Sequence, residues 1–123
     1  MSGPLGGSSP VPGASERLSA VQFQEALRHA ARFGSRSLVG DPLDAAVKRI
    51  EKNPAFSQSR LLARMLFALA NESGEFRRAE VAAFDSETLA VVIGLMDAHA
   101  AGTSTREDWT RAVNAATAAG AIA

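Results

Sequence analysis

Only two histidines, His29 and His99, can offer nitrogen ligands in this chain of 123 residues. It contains no Cys, which excludes disulfides, thiol nucleophiles and thiolate metal sites. His29 follows Glu25 by four residues, so the two share a helix face and are expected to form a solvated hydrogen-bonded pair. His99 follows Asp97 by two residues, a spacing that separates side chains on a helix. We therefore predict no metal site.

Motifs of nucleophilic catalysis and phosphate binding are also missing from the sequence. It has no G-x-S-x-G, G-x-G-x-x-G or G-x-x-x-x-G-K-[ST] pattern. Glu72, Glu75 and Glu80 flank a predicted helix break and could pair for acid–base work, but solvated charges at helix ends explain them more simply. The sequence thus predicts a non-enzymatic protein with no cofactor and no small-molecule ligand.

Arg28, Arg32 and Arg36 recur at four-residue intervals, a pattern that raises the question of nucleic-acid binding. A helix-turn-helix would need a second helix between Gly34 and Asp41, and six residues are too few for one. The interval also offers no aromatic platform for single strands. We therefore interpret the three arginines as the charged rim of a protein-binding surface.

Asp85-Ser86 opens an apolar segment and resembles the Asp-Ser-Leu start of the second helix of acyl carrier proteins. In that family the serine carries a phosphopantetheine arm, so the resemblance implies Ser86 as an attachment site. Glu87 stands here in place of the family's Leu, and the match covers some ten residues. Because Asp-Ser is also a common helix N-cap pair, capping accounts for the same residues.

The composition is that of one soluble globular domain. Acidic and basic side chains number 13 each, and hydrophobic residues make up 46% of the chain, enough for an ordinary core. No apolar run approaches the roughly 20 residues that span a bilayer, and no signal-peptide layout is present, so we expect a cytoplasmic protein. The 25 Ala favour helices, and 11 Arg against 2 Lys are typical of a GC-rich bacterial genome.

Residues 1–14 are rich in Gly, Ser and Pro and are expected to form a disordered tail, either native or an added leader. Residues 15–123 are expected to form a single helical domain, and an extra helical turn from Ser15 is left open. A structureless, Ser-containing N-terminus also suits export without a signal peptide. A secreted effector or secretion-system component is therefore the alternative function.

Helix start and stop signals predict an all-α bundle of about five to six short helices. Ser19 and Gln22 form a capping box for the first helix, and Asp41-Pro42 is a typical start for the second. Ser104 and Glu107 are interpreted as the capping box of the last helix.

Residues 75–84 are expected to form a short helix in which apolar side chains face inward and charged ones, including Glu80, face outward. The side chains assigned to the inward face are Phe76, Val81 and Phe84.

The helices near 58–71 and 86–101 carry more apolar surface than one face can bury, so we place them at the centre of the bundle. Leu66-Phe67 and Val91-Val92 are adjacent pairs that point to different sides of their helices. This surplus is either covered by neighbouring helices or left exposed as a partner-binding surface. Phe56 is interpreted as a core plug.

Charge is unevenly distributed along the chain. Residues 1–62 contain eight basic and five acidic side chains, and residues 63–123 contain five basic and eight acidic ones. This asymmetry favours head-to-tail self-association or a charged partner. The predicted function is a protein–protein interaction module that buries an apolar stripe of either central helix, with Arg28, Arg32 and Arg36 at its rim.

Overall fold

The computed structural model describes residues 17–31, 40–72 and 76–121. In chain order the elements are β1 (Arg17–Leu18), α1 (Ala20–Ala31), α2 (Pro42–Lys52), α3 (Ser57–Asn71), β2 (Phe76–Arg77), α4 (Arg78–Ala83), α5 (Ser86–Ala101) and α6 (Arg106–Ala118). The predicted all-α fold is confirmed. The 1–14 tail lies outside the described residues.

Several predicted helix ends are confirmed at the level of hydrogen bonds. The Ser19 backbone N–H donates to Oε1 of Gln22 over 2.9 Å, and the Gln22 N–H donates to Oγ of Ser19 over 3.1 Å. Asp41 accepts the Leu43 N–H at 3.1 Å, with Pro42 in the first turn of α2. These side chains satisfy N–H groups that have no partner within the helix.

The capping box predicted for the last helix was wrong by one residue. The hydroxyl of Thr105, not Ser104, accepts the Asp108 N–H at 3.1 Å, and Oδ2 of Asp108 accepts the Thr105 N–H at 2.9 Å. The segment 104–108 contains two overlapping boxes, and Glu107 belongs to the one that is not used. Trp109 lies on the buried face of α6 with Ala112 and Ala116.

The prediction of a continuous helix over 75–84 was also wrong. Phe76–Arg77 is a strand that pairs antiparallel with Arg17–Leu18, and the helix begins only at Arg78. The same pairing replaces the extra turn suggested before Ser19, although Ser15 itself lies outside the described residues. A two-residue ladder is too short to produce alternating hydrophobicity, so sequence periodicity could not reveal it.

The core forms around α5, one of the two helices predicted to be central. Its buried residues include Leu89, Val91, Val92 and Leu95, which point to different sides of the helix, and α1, α2 and α3 all pack against it. Phe76 and Phe84, predicted to face inward, are buried, and the Phe76 ring lies 5.1 Å from the Phe23 ring. The short β2–α4 segment thus closes the end of the bundle next to α1.

Arg49 connects α2 to the first turn of α5. Its guanidinium donates to Thr88 Oγ1 at 3.2 Å, Glu87 Oε2 at 2.7 Å and Asp85 Oδ2 at 3.1 Å. Asp85 is the N-cap of α5, because its Oδ1 accepts the Thr88 N–H at 2.7 Å. One half-buried cation therefore ties together an N-cap and a buried hydroxyl.

Partial desolvation raises the pKa of Asp85, but bonds from the Thr88 N–H and hydroxyl and the charge of Arg49 outweigh it, leaving the pKa below its ordinary 3.8. A lowered folded-state pKa means that ionised Asp85 stabilises the fold above about pH 4 and that this contribution disappears as pH falls further. Asp85→Ala should therefore lower the free energy of unfolding by about 1 kcal/mol at pH 7, the usual value of an N-cap.

Urea unfolding of Asp85→Ala and the parent chain, followed by circular dichroism from pH 7 to pH 3, measures this difference. We expect it to shrink as pH falls below about 4. The matched control is Ser86→Ala, which alters an exposed neighbour and should change stability by less than about 0.5 kcal/mol. A difference that stays constant with pH would contradict the role of the ionised carboxylate.

Candidate protein-binding surface

Of the three arginines predicted to form a charged rim, only Arg28 lies among the described residues. Arg28 lies on α1, and its guanidinium donates to Oδ1 of Asp97 on α5 at 2.5 Å. Gln24 donates to the same oxygen at 2.6 Å, so Asp97 fastens α1 to α5. Arg32 and Arg36 lie outside the described residues.

The carboxylates considered for acid–base work do not form a pair among the described residues. Arg64 holds Glu80 through two hydrogen bonds, the one from Nε spanning 2.7 Å, and Oε1 of Glu80 also accepts the Arg77 N–H. The prediction that Glu80 faces outward is therefore wrong: its side chain is only 14% exposed because it connects α4 to α3. Glu72 ends α3, and Glu75 lies outside the described residues.

The two histidines occupy different parts of the molecule. His99 is half-buried and meets the Trp109 ring nearly edge-on, with 5.5 Å between ring centroids. Glu25 and His29 line a shallow groove between α1 and α4. Within residues 17–31, 40–72 and 76–121, no three His, Asp or Glu side chains are arranged to hold a metal ion.

The two apolar central helices differ in how much surface they leave uncovered. Val91 and Val92 of α5 are buried, whereas Phe67 of α3 is 48% exposed. Phe56, immediately before α3, is 45% exposed, so its interpretation as a core plug is wrong. The surplus apolar surface predicted for either helix therefore lies at α3.

Phe56, Arg60 and Phe67 lie along the outer side of α3, and we call them the α3 surface. Helix geometry places Phe67 eleven residues after Phe56, about 16 Å along the axis and only about 20° around it. Arg60 lies about 6 Å along the axis from Phe56 and about 40° around it, so it stands between the two phenyl positions along the helix and about 20° beyond Phe67 around it. The α3 surface thus presents two aromatic rings with a guanidinium between them.

Local hydrogen bonds hold the N-terminal end of the α3 surface. The Phe56 N–H bonds the Asn53 carbonyl at 3.1 Å, and the Arg60 N–H bonds the Phe56 carbonyl at 3.1 Å. Gln58 fixes the next turn, because its amide donates to the Ala83 carbonyl and accepts the Asp85 N–H, both at 2.8 Å. Phe56 is the N-cap residue of α3, in an extended backbone conformation, and its side chain remains exposed.

The charges along α3 are used differently. Arg64 is engaged by Glu80 and is only 38% exposed. Arg60 is exposed and forms no ion pair within the described part of the chain. The α3 surface therefore has an available positive charge beside its aromatic rings.

A second apolar feature is a groove of about 310 Å³ between α2 and α6, which we call the α2–α6 groove. Its apolar lining consists of Leu43, Val47, Ala112 and Ala115, and its charged lining of Asp41, Asp44, Asp108 and Arg111. It shares no residue with the α3 surface.

The carboxylates of the α2–α6 groove differ in their partners. Lys48 neutralises Asp44 across 2.9 Å. The Thr105 N–H and hydroxyl, and more weakly Arg111, hold the pKa of Asp108 below its usual range despite slight desolvation. Asp41 makes no ion pair among the described residues, so the groove retains an uncompensated negative charge.

Comparisons with protein-family models, with curated proteins and with solved structures find no match for this chain. None of its described helices combines the length and apolarity needed to cross a bilayer.

Sequence reasoning found the helix that carries the α3 surface but not the α2–α6 groove. Adjacent Leu66 and Phe67 signalled apolar groups on two sides of α3. The groove combines small residues of α6 with residues of α2 more than 60 positions earlier, and no local pattern encodes that juxtaposition.

The left-handed conformation of the residue that caps the C-terminal end of α3 can be tested by substitution. Glu72 adopts φ 51°, ψ 32°, the left-handed conformation that costs an L residue about 1 kcal/mol and that Gly adopts freely. Glu72→Gly should therefore raise the free energy of unfolding by about 1 kcal/mol in urea titrations. Glu107→Gly, in the first turn of α6, is the control and should lower it by a similar amount. Equal losses in both variants would contradict the assigned cap.

Proposed function

We propose that this protein is a non-enzymatic protein–protein interaction module that binds its partner through the α3 surface. The observation that carries the proposal is the pair of half-exposed phenyl rings, Phe56 and Phe67, along the outer side of α3. Aromatic side chains, including Phe, and Arg are enriched in protein interfaces relative to the rest of the surface. The α3 surface contains two phenyl rings, of Phe56 and Phe67, and the guanidinium of Arg60.

The partner surface is expected to combine apolar side chains with carboxylates. Burial of the two phenyl rings removes apolar area from water, which favours association. Arg60 has no ion-pair partner among the described residues, so a partner carboxylate would provide one without breaking a contact of the fold. A positive partner would leave Arg60 desolvated beside a like charge, which costs binding energy.

Direct pairing of two α3 surfaces is disfavoured by the same charge. In an antiparallel pair that sets Phe56 against Phe67, Arg60 lies opposite position 63 of the other copy. The two Arg60 Cα atoms would then be offset by only about 4.5 Å along the axes, which brings like charges together. A parallel pair would face them directly. The α3 surface is therefore suited to a different, acidic surface.

A synthetic amphipathic helix with Leu at i, i+4, i+7 and i+11 and Glu beside them is the probe for this function, and its twin carries Lys in place of Glu. In fluorescence-anisotropy titrations we expect the Glu peptide to bind at least tenfold more tightly than the Lys peptide. Phe67→Gln should weaken binding of the Glu peptide at least tenfold, because a buried aromatic anchor is lost.

Val21→Gln provides the matched control, because Val21 is 64% exposed on α1 and lies outside the α3 surface. This variant should bind the Glu peptide like the parent chain. Equal affinity for the Glu and Lys peptides, or parent-like binding by Phe67→Gln, would overturn the proposed function.

A further inference from the structure

The α2–α6 groove has the features that the α3 surface requires of a partner. Half of its lining residues are apolar, and two of these, Ala112 and Ala115, have small side chains that leave space in the groove. A cavity of about 150 Å³ holds a benzene molecule, so a groove of about 310 Å³ has room for a phenyl ring. Asp41 supplies a carboxylate without an ion-pair partner among the described residues.

We infer that the partner of the α3 surface is a second copy of this chain, which receives Phe67 in its α2–α6 groove while Arg60 faces Asp41 and Asp44. This inference rests on the proposed function, since it names the partner of the same surface. The two surfaces are complementary in shape and charge, because one has aromatic rings beside an available cation and the other is a partly apolar groove with an available carboxylate.

The geometry of this contact determines the kind of assembly. The α3 surface and the α2–α6 groove are different parts of the molecule, so a copy that uses its α3 surface keeps its own groove free. Such a heterologous contact does not close after two copies unless the rotation generates a ring. The chain should therefore associate head to tail, and its average mass should rise steadily with concentration.

Complementary single variants separate the two halves of the contact. Phe67→Gln removes the inserted ring but keeps the groove, and Ala115→Arg fills the groove with a cationic side chain but keeps the α3 surface. Each variant alone should remain at the monomer mass of 12.8 kDa. An equimolar mixture should form a species of twice that mass, because one intact surface remains on each copy.

Light scattering after size-exclusion chromatography, from micromolar to millimolar protein, measures these masses, and thermal unfolding by circular dichroism checks that both variants fold. Val21→Gln is the control and should assemble like the parent chain.

A charge-reversal pair tests the same contact without altering the apolar lining of the groove. Arg60→Glu and Asp44→Lys should each weaken association at least threefold, and the double variant should restore it.

Several outcomes would overturn the inference: a mixture that stays monomeric, a parent chain that is monomeric at every concentration, or an Ala115→Arg variant that still dimerises through paired α3 surfaces. The Glu peptide distinguishes the two proposals. If it binds the α3 surface of a chain that does not self-associate, the proposed function stands and the second copy is excluded as partner. If it does not bind and no assembly forms, both proposals fail.

Discussion

The all-round apolar surface of α5 is the constraint on which the rest of the fold depends. A helix of this kind is stable in water only if neighbours cover every side of it. Three helices, α1, α2 and α3, provide that cover, and α3 must also pack against α2 and α6. Packing against α2, α5 and α6 buries the inner faces of α3, and its outer side, with Phe56 and Phe67, stays in contact with solvent.

Polar contacts fix the orientation of the covering helices rather than filling the space between them. Asp97 joins α5 to α1 through Gln24 and Arg28, and Arg49 joins α2 to the start of α5. Arg64 and Glu80 attach α4 to the side of α3. Each pair places a charge at the edge of the core, where its remaining hydrogen bonds can be satisfied, so the cost of desolvation stays small.

Local signals in the sequence predicted most of the helices and their ends, because caps such as Asp41 and Asp85 act within a single turn. The exceptions arise where two local solutions compete or where the partner is distant. Ser104 and Thr105 each open a possible capping box with the residue three positions later, and the structure uses the one at Thr105. The strand at Phe76 depends on Leu18, far away in the chain, and Glu80 is covered because Arg64 reaches it from another helix. Local patterns predicted the apolar surplus on α3 but not the exposure of Phe56. They could not predict the α2–α6 groove, because its two sides come from distant parts of the chain.

The most direct test of the central claim is intermolecular paramagnetic relaxation enhancement between two samples of the chain. Because the protein has no Cys, Asn71→Cys introduces a single spin-label site at the exposed end of α3, beside Phe67. Mixed with isotope-labelled chain that carries no spin label, it should broaden amide signals of α2 and α6 around Val47 and Ala115. Broadening centred on Phe56 and Phe67, or none at high protein concentration, would contradict docking of the α3 surface into the α2–α6 groove.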